Sequence, residues 1–124
     1  MSSEAISDIS DSSGTLWMDT AARDWSEVML KATCLSRDQM PQLVEGSSPG
    51  GFLRSELARK WGIDTRPIIA GSAGDNAAGA LGIGAIKSGS AFVSLGTSGV
   101  YFVVNQRFLN NPKQGSHAFC HCIP

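Results

Sequence analysis

An aspartate followed by an asparagine, set in a run of glycine and alanine, is the first place where this sequence offers chemistry. Residues 71–79 read Gly-Ser-Ala-Gly-Asp-Asn-Ala-Ala-Gly. Small side chains leave room for a ligand beside Asp75. Asn76 adds a donor and an acceptor next to the carboxylate. A strand that breaks into glycines before a helix brings backbone N–H groups close to whatever binds there. The helix N-terminus favours an anion, so the Asp75 carboxylate is poised to accept a proton. Spacing alone leaves a plainer alternative, in which Asp75 is only the N-cap of that helix.

A second candidate is Gly96-Thr97-Ser98-Gly99. Two glycines allow a tight turn, and two hydroxyls join the backbone N–H groups as donors. That set suits a phosphate. It is not a P-loop, because no Gly-Lys-Ser/Thr and no helix follow. An ordinary hairpin turn is the alternative. A third candidate is the terminal cluster His117, Cys120, His121 and Cys122. A strand over 117–123 would place the histidines on one face and the cysteines on the other, so no metal site is expected there.

The elements around these residues read as α/β. Thr15 to Met18 and Pro67 to Ala70 look like short strands, the second one buried. Asp24 with Glu27 resembles a capping box. Trp25, Val28, Met29, Ala32 and Leu35 then mark one buried helix face, ending at Arg37–Pro41. Gln42 to Gly51 reads as a loop. Leu53, Leu57 and Trp61 mark a second helix from about Phe52, with Gly62 at its C′ position. Trp25, Met29 and Trp61 are expected in the core. Residues 91–95 and 100–104 form a β-hairpin, and residues 1–14, with six serines, read as a frayed terminus.

Composition narrows the function classes. The chain has 124 residues, a formal net charge of -1, 42% hydrophobic residues and 14 glycines. The near-zero charge argues against nucleic acid and against a polybasic membrane anchor. Ile68 to Ile86 carries one charge, Asp75, and such a central acid disfavours a membrane span. The start is polar, without an apolar signal region, and Cys34, Cys120 and Cys122 are odd in number. Free thiols in a reducing cytoplasm are expected.

Together, Gly74-Asp75-Asn76-Ala77-Ala78-Gly79-Ala80-Leu81-Gly82 and Val93-Ser94-Leu95-Gly96-Thr97-Ser98-Gly99-Val100-Tyr101 resemble the FGGY carbohydrate kinases. Ser10 to Asp19, Asp24-Trp25, Leu35 to Pro41 and His117 to His121 extend the resemblance from about Ser7 to Pro124. The resemblance implies a fragment of an actin-like ATPase, ribonuclease H-like fold, with a mixed sheet, helices and a hairpin. It implies that residues 1–85 end the sugar-binding domain and that residues 86–124 begin the nucleotide-binding one. Asp75 would be the catalytic base and would bind sugar with Asn76. Gly96, Thr97, Ser98 and Gly99 would contact the ATP phosphates, with Mg²⁺ supplied in the complete protein and no metal held by this chain.

Within the family, the resemblance points to members that convert D-xylulose to D-xylulose 5-phosphate. The family's first phosphate motif and its adenosine motif are not in this chain, so the chain alone is expected to be inactive. A slice across a domain boundary would bare an apolar face and favour a homo-oligomer. The rival readings are a non-catalytic sugar- or phosphate-binding module, a metal-binding or redox tail, and a kinase for another ketopentose such as ribulose.

Overall fold

The computed structural model describes all residues, Met1–Pro124. The serine-rich start is not frayed. Ile6–Asp8 forms β1 and Ile9–Ser12 forms a one-turn helix, α1. Asp8 closes the strand and caps the helix, accepting the N–H groups of Ser10 at 2.8 Å and Asp11 at 3.2 Å. β1 lies parallel to β4, Gln42–Val44, in the register Ile6↔Gln42 and Asp8↔Val44. Asp8, Ser10, Ser12 and Ser13 are all buried. Burial of so many polar groups is tolerated because they bond to one another.

Met18–Asp19 (β2) and Asp24–Trp25 (β3) form a short antiparallel ribbon. The next helix, α2, spans Glu27–Ala32. Its cap is Ser26, whose side chain accepts the Met29 N–H at 3.4 Å. Asp24 does not cap it: its carboxylate accepts the Trp25 N–H and an ion pair from Arg37. Leu30 is the residue of α2 that is buried, whereas Val28 is 77% exposed. Helix α2 ends at Ala32, well before Arg37, and residues 37–39 form a separate 3₁₀ turn. Trp25 reaches the core from β3, where Ile9, Met18, Leu30 and Cys120 surround it. Its indole N–H donates to the Pro41 carbonyl at 2.9 Å.

Residues 42–51 are not a loop. After β4 the chain forms β5, Pro49–Phe52, which pairs antiparallel with β6, Ile68–Ala70. A register shift between Pro49 and Phe52 accommodates the Gly50-Gly51 pair. β6 is a strand as expected but not a buried one, with Ile68 exposed. The helix between them, α3, spans Ser55–Lys60 and ends with Gly62 at φ +66°. It buries Ala58, and Trp61 at its end is 52% exposed rather than in the core. Six residues make too short a helix for a Leu53–Leu57–Trp61 stripe to face one way.

Helix α4, Asp75–Gly82, follows β6 across a glycine loop. β7, Ala91–Leu95, and β8, Gly99–Val103, then pair over the register Ala91↔Val103 to Leu95↔Gly99. The architecture is α/β with four two-stranded sheets, one parallel and three antiparallel, rather than one mixed sheet. Residues 117–123 form no strand. Their backbone donors go to side chains instead: Cys120 N–H to Ser13 Oγ at 3.1 Å, and Ile123 N–H to His121 Nδ1 at 3.1 Å. No helix is long and apolar enough to cross a membrane.

Candidate functional site

The floor of the Asp75 site is two backbone segments crossing at near-contact distance. Gly71 N–H donates to the Ser48 carbonyl at 2.8 Å, and Ser72 N–H to the Gly46 carbonyl at 3.1 Å. A Cβ on Gly71 would lie 2.3 Å from the Glu45 carbonyl oxygen, and one on Gly46 would lie 2.4 Å from that of Ser72. Only glycine permits this approach, which delivers the chain from β6 to the start of α4.

The N-cap of α4 is Gly74, in extended backbone geometry and with no side chain to cap the helix. Asp75 is therefore the first helical residue and not the cap. Its Oδ1 accepts the N–H of Asn76 at 2.7 Å, and its carboxylate is otherwise free and exposed. The Asn76 side chain is exposed and makes no bond within the chain. Ala77 and Ala80 bury the opposite face of α4. Ala78, Leu81 and Gly82 face a groove of about 440 Å³, shared with Ser47, Ala73 and Cys122.

Ser10, backed by Asp8, holds the helix start in place, within a cluster of four buried or half-buried serines. The Gly74 N–H donates to Ser10 Oγ at 2.9 Å. The Ser10 hydroxyl donates in turn to Asp8 Oδ2. Ser13 Oγ donates to the Ser10 carbonyl at 2.7 Å, and Ser7 and Ser12 share a hydroxyl bond of 2.7 Å. Sequence reasoning passed over this cluster. Its one legible signal is Asp8 directly before the apolar Ile9, an N-cap pattern inside a segment that otherwise looks solvated.

The second candidate forms a three-residue turn, residues 96–98, closed by the Leu95↔Gly99 pair. Gly96 N–H donates to the Ser98 carbonyl at 3.0 Å. The N–H groups and hydroxyls of Thr97 and Ser98 have no partner within the chain, and the loop is exposed. It thus presents two backbone donors and two hydroxyls. No hydrogen bond joins this loop to Asp75 or Asn76.

The third candidate does not assemble as a ligand set. His121 Nδ1 accepts the Ile123 N–H, so Nε2 carries the proton and faces the Ala85 carbonyl at 3.3 Å. The Cys122 thiol donates to the Ala77 carbonyl at 3.4 Å. The Cys120 thiol points to the Thr20 carbonyl at 3.9 Å. Burial pushes both thiols above the usual cysteine range. His117 packs against Phe119 instead. What the segment does is tie elements together. Its residues reach α1, α4 and, through His121 edge-on to Phe102, the hairpin.

A second groove, of about 490 Å³, lies far along the chain from these residues, beside Arg23, Asp24, Trp25 and Arg37. Ion pairs occupy its rim: Arg23 with Glu45, and Arg37 with Asp24 and Glu27. The Arg37 guanidinium, then the Trp25 N–H, hold the Asp24 carboxyl below the usual carboxylate range.

The chain is similar to known carbohydrate kinases. The model of the FGGY family of carbohydrate kinases, N-terminal domain, matches residues 1–82. The chain is 55% identical over 124 residues to a xylulose kinase of Escherichia coli strain K12, covering 100% of this chain and 25% of that protein. It is 53% identical over 121 residues to a xylulose kinase of Klebsiella pneumoniae, covering 98% of this chain and 25% of that one. A crystal structure of a xyloylose kinase from Brucella ovis superposes with a TM-score of 0.96 at 55% identity, over 100% of this chain and 26% of the other. The chain spans about a quarter of the length of the curated relatives it matches.

Proposed function

The chain belongs to the FGGY family of carbohydrate kinases, and on that premise we propose that it is part of an ATP-dependent kinase that phosphorylates D-xylulose to D-xylulose 5-phosphate. The observation that carries the reading is the Asp75 carboxylate, which is exposed, bonds only the adjacent Asn76 N–H, and stands beside an Asn76 side chain with no partner in the chain. Asn76 orients the sugar, and Asp75 takes the proton of the reacting hydroxyl. That oxygen forms a bond to the γ-phosphorus of ATP as the bond from phosphorus to the β–γ bridging oxygen breaks, and ADP leaves. A positioned base contributes about 10²- to 10⁴-fold.

The Gly96–Gly99 turn fits the donor's phosphates, because Thr97 and Ser98 hold N–H and hydroxyl groups with no other use. Phosphoryl transfer depends mostly on such positioning and charge stabilisation. Mg²⁺ is a different case. No group of three His, Cys, Asp or Glu side chains converges in this chain, and Mg²⁺ is commonly held by one or two carboxylates together with substrate phosphates. The ion would enter with the nucleotide phosphates and would neutralise their charge. The proposed boundary near Ala85 separates a sugar-binding part, 1–85, from the start of the nucleotide-binding part, 86–124. The end of the family match at residue 82 supports it. The proposed setting is the cytoplasm, which suits three free thiols.

Asp75→Asn in the complete protein tests the reading. Turnover of D-xylulose with ATP should fall by at least about 10²-fold with the fold retained. Near-normal turnover would remove Asp75 from the role. Running D-ribulose beside D-xylulose decides the sugar. The 124-residue chain alone should show no turnover.

A further inference from the structure

Among the buried polar groups, one reaches from the first fifth of the chain to the backbone beside the proposed base. We propose that Ser10 is a positioning residue for phosphoryl transfer: its hydroxyl fixes the Gly74 amide and so sets where the Asp75 carboxylate stands. The proposal rests on the reading of Asp75 as the base.

The direction of the bonds carries the argument. The Gly74 N–H donates into Ser10 Oγ at 2.9 Å. The hydroxyl proton of Ser10 must then go elsewhere, and it goes to Asp8 Oδ2. Both functions of the hydroxyl are spoken for, so it has no rotational freedom left. Asp8 is itself fixed, as the last residue of β1 in register with Val44 and as the cap of α1. An unbroken series of bonds therefore runs from the β1–β4 pair through Asp8 and Ser10 to Gly74, one residue from Asp75.

Nothing local could replace it. Gly74 is the N-cap of α4 and has no side chain with which to fix the first turn. It is also pressed against α1, where a Cβ would lie 3.2 Å from Asp11 Cα. Ser10 supplies from another element the bond to the N-cap amide that the N3 side chain of a capping box would make. A displacement of about 1 Å in a reacting group costs roughly 10²-fold in rate. Ser12 is the internal control. It is fully buried in the same turn of helix, but its hydroxyl bonds to Ser7 and not to α4.

The test uses the complete protein and steady-state kinetics on five variants. Ser10→Ala should lower kcat by about 10- to 100-fold with KM for ATP changed by less than about 2-fold. Ser10→Thr, which keeps the acceptor, should recover most of kcat. Ser12→Ala should lower the melting temperature about as much as Ser10→Ala while leaving kcat near wild type. If Ser10→Ala does not fold, Ser10→Cys keeps the volume, weakens the acceptor and takes its place. A near-wild-type kcat at Ser10→Ala or Ser10→Cys overturns the proposal. So does an equal kcat loss at Ser12→Ala for equal loss of melting temperature. Asp75→Asn separates the two claims: normal turnover there removes the base reading and this proposal together. An inactive Asp75→Asn beside a normal Ser10→Ala removes this proposal alone.

Discussion

The start of α4 and the turn between β7 and β8 both end in glycine-framed polar residues, yet they are held in opposite ways. Gly74 is fixed by Ser10, 64 positions away in sequence. The 96–98 turn is fixed by its own ladder, with Phe92 and Phe102 stacked at 5.0 Å and one ring edge on His121. The outer hairpin face is bare: Leu95 is 83% and Tyr101 73% exposed. A base must stand at a set distance from one oxygen, so rigidity imposed from several elements suits it. Phosphate oxygens can be met by a local turn with N–H groups to offer.

The largest expected break in this comparison is in turnover. Asp75→Asn should cost at least about 10²-fold, whereas Thr97→Ala and Ser98→Ala should raise KM for ATP only a few-fold, because the backbone donors remain. Equal losses at both places would show that the loop is as chemically committed as the helix start.

Hydrogen exchange sharpens the same contrast. The Gly74 amide, bonded to a buried hydroxyl, should exchange far more slowly than the Thr97 and Ser98 amides, which have no partner. Comparable rates would mean that Ser10 does not hold α4. Thiol labelling reports on the segment joining the two regions. Cys34 is exposed and should react first with an alkylating reagent. Cys120 and Cys122, buried and with burial pushing their thiols above the usual cysteine range, should react only as the chain opens. Gly71→Ala should destabilise by about 1–3 kcal/mol, through forced movement at the backbone crossing.

The smallest effect is expected away from both regions. Because Asp24 ionises at lower pH when folded, its pairing with Arg37 stabilises the fold above the ordinary aspartate pKa of about 3.9 and loses that effect as pH falls through the depressed value. Both partners are half exposed, so the loss should be slight and should shrink further in high salt. Chemical denaturation at several acidic pH values with Arg37→Ala measures it; a wild-type advantage that grows on acidification would contradict the assignment.

What was legible in the sequence follows the same division. The β7–β8 hairpin could be read because its signals are local: two β-rich runs around a glycine turn. The glycine loop and α4 were legible for the same reason. The buried serines were not, because a polar residue looks solvated until its partner arrives from elsewhere in the chain. Asp24 misled as a cap because its carboxylate is taken by Arg37, thirteen residues on, leaving Ser26 to cap α2. Residues 117–123 misled as a strand because their N–H groups bond to Ser13 and His121. Trp61 misled as core because α3 is too short to bury a whole stripe.

The crossing of residues 45–46 under residues 71–72 also divides the site for anyone who would redesign it. Gly46 and Gly71 belong to the frame, since either Cβ would overlap a carbonyl oxygen. Ser47, Ala73, Ala78 and Leu81 line the groove beside α4 without such constraint. A mutant library meant to reshape that groove should randomise those four and hold the two glycines constant. The groove's shape can then be varied while the track that carries Asp75 into place is left as it is.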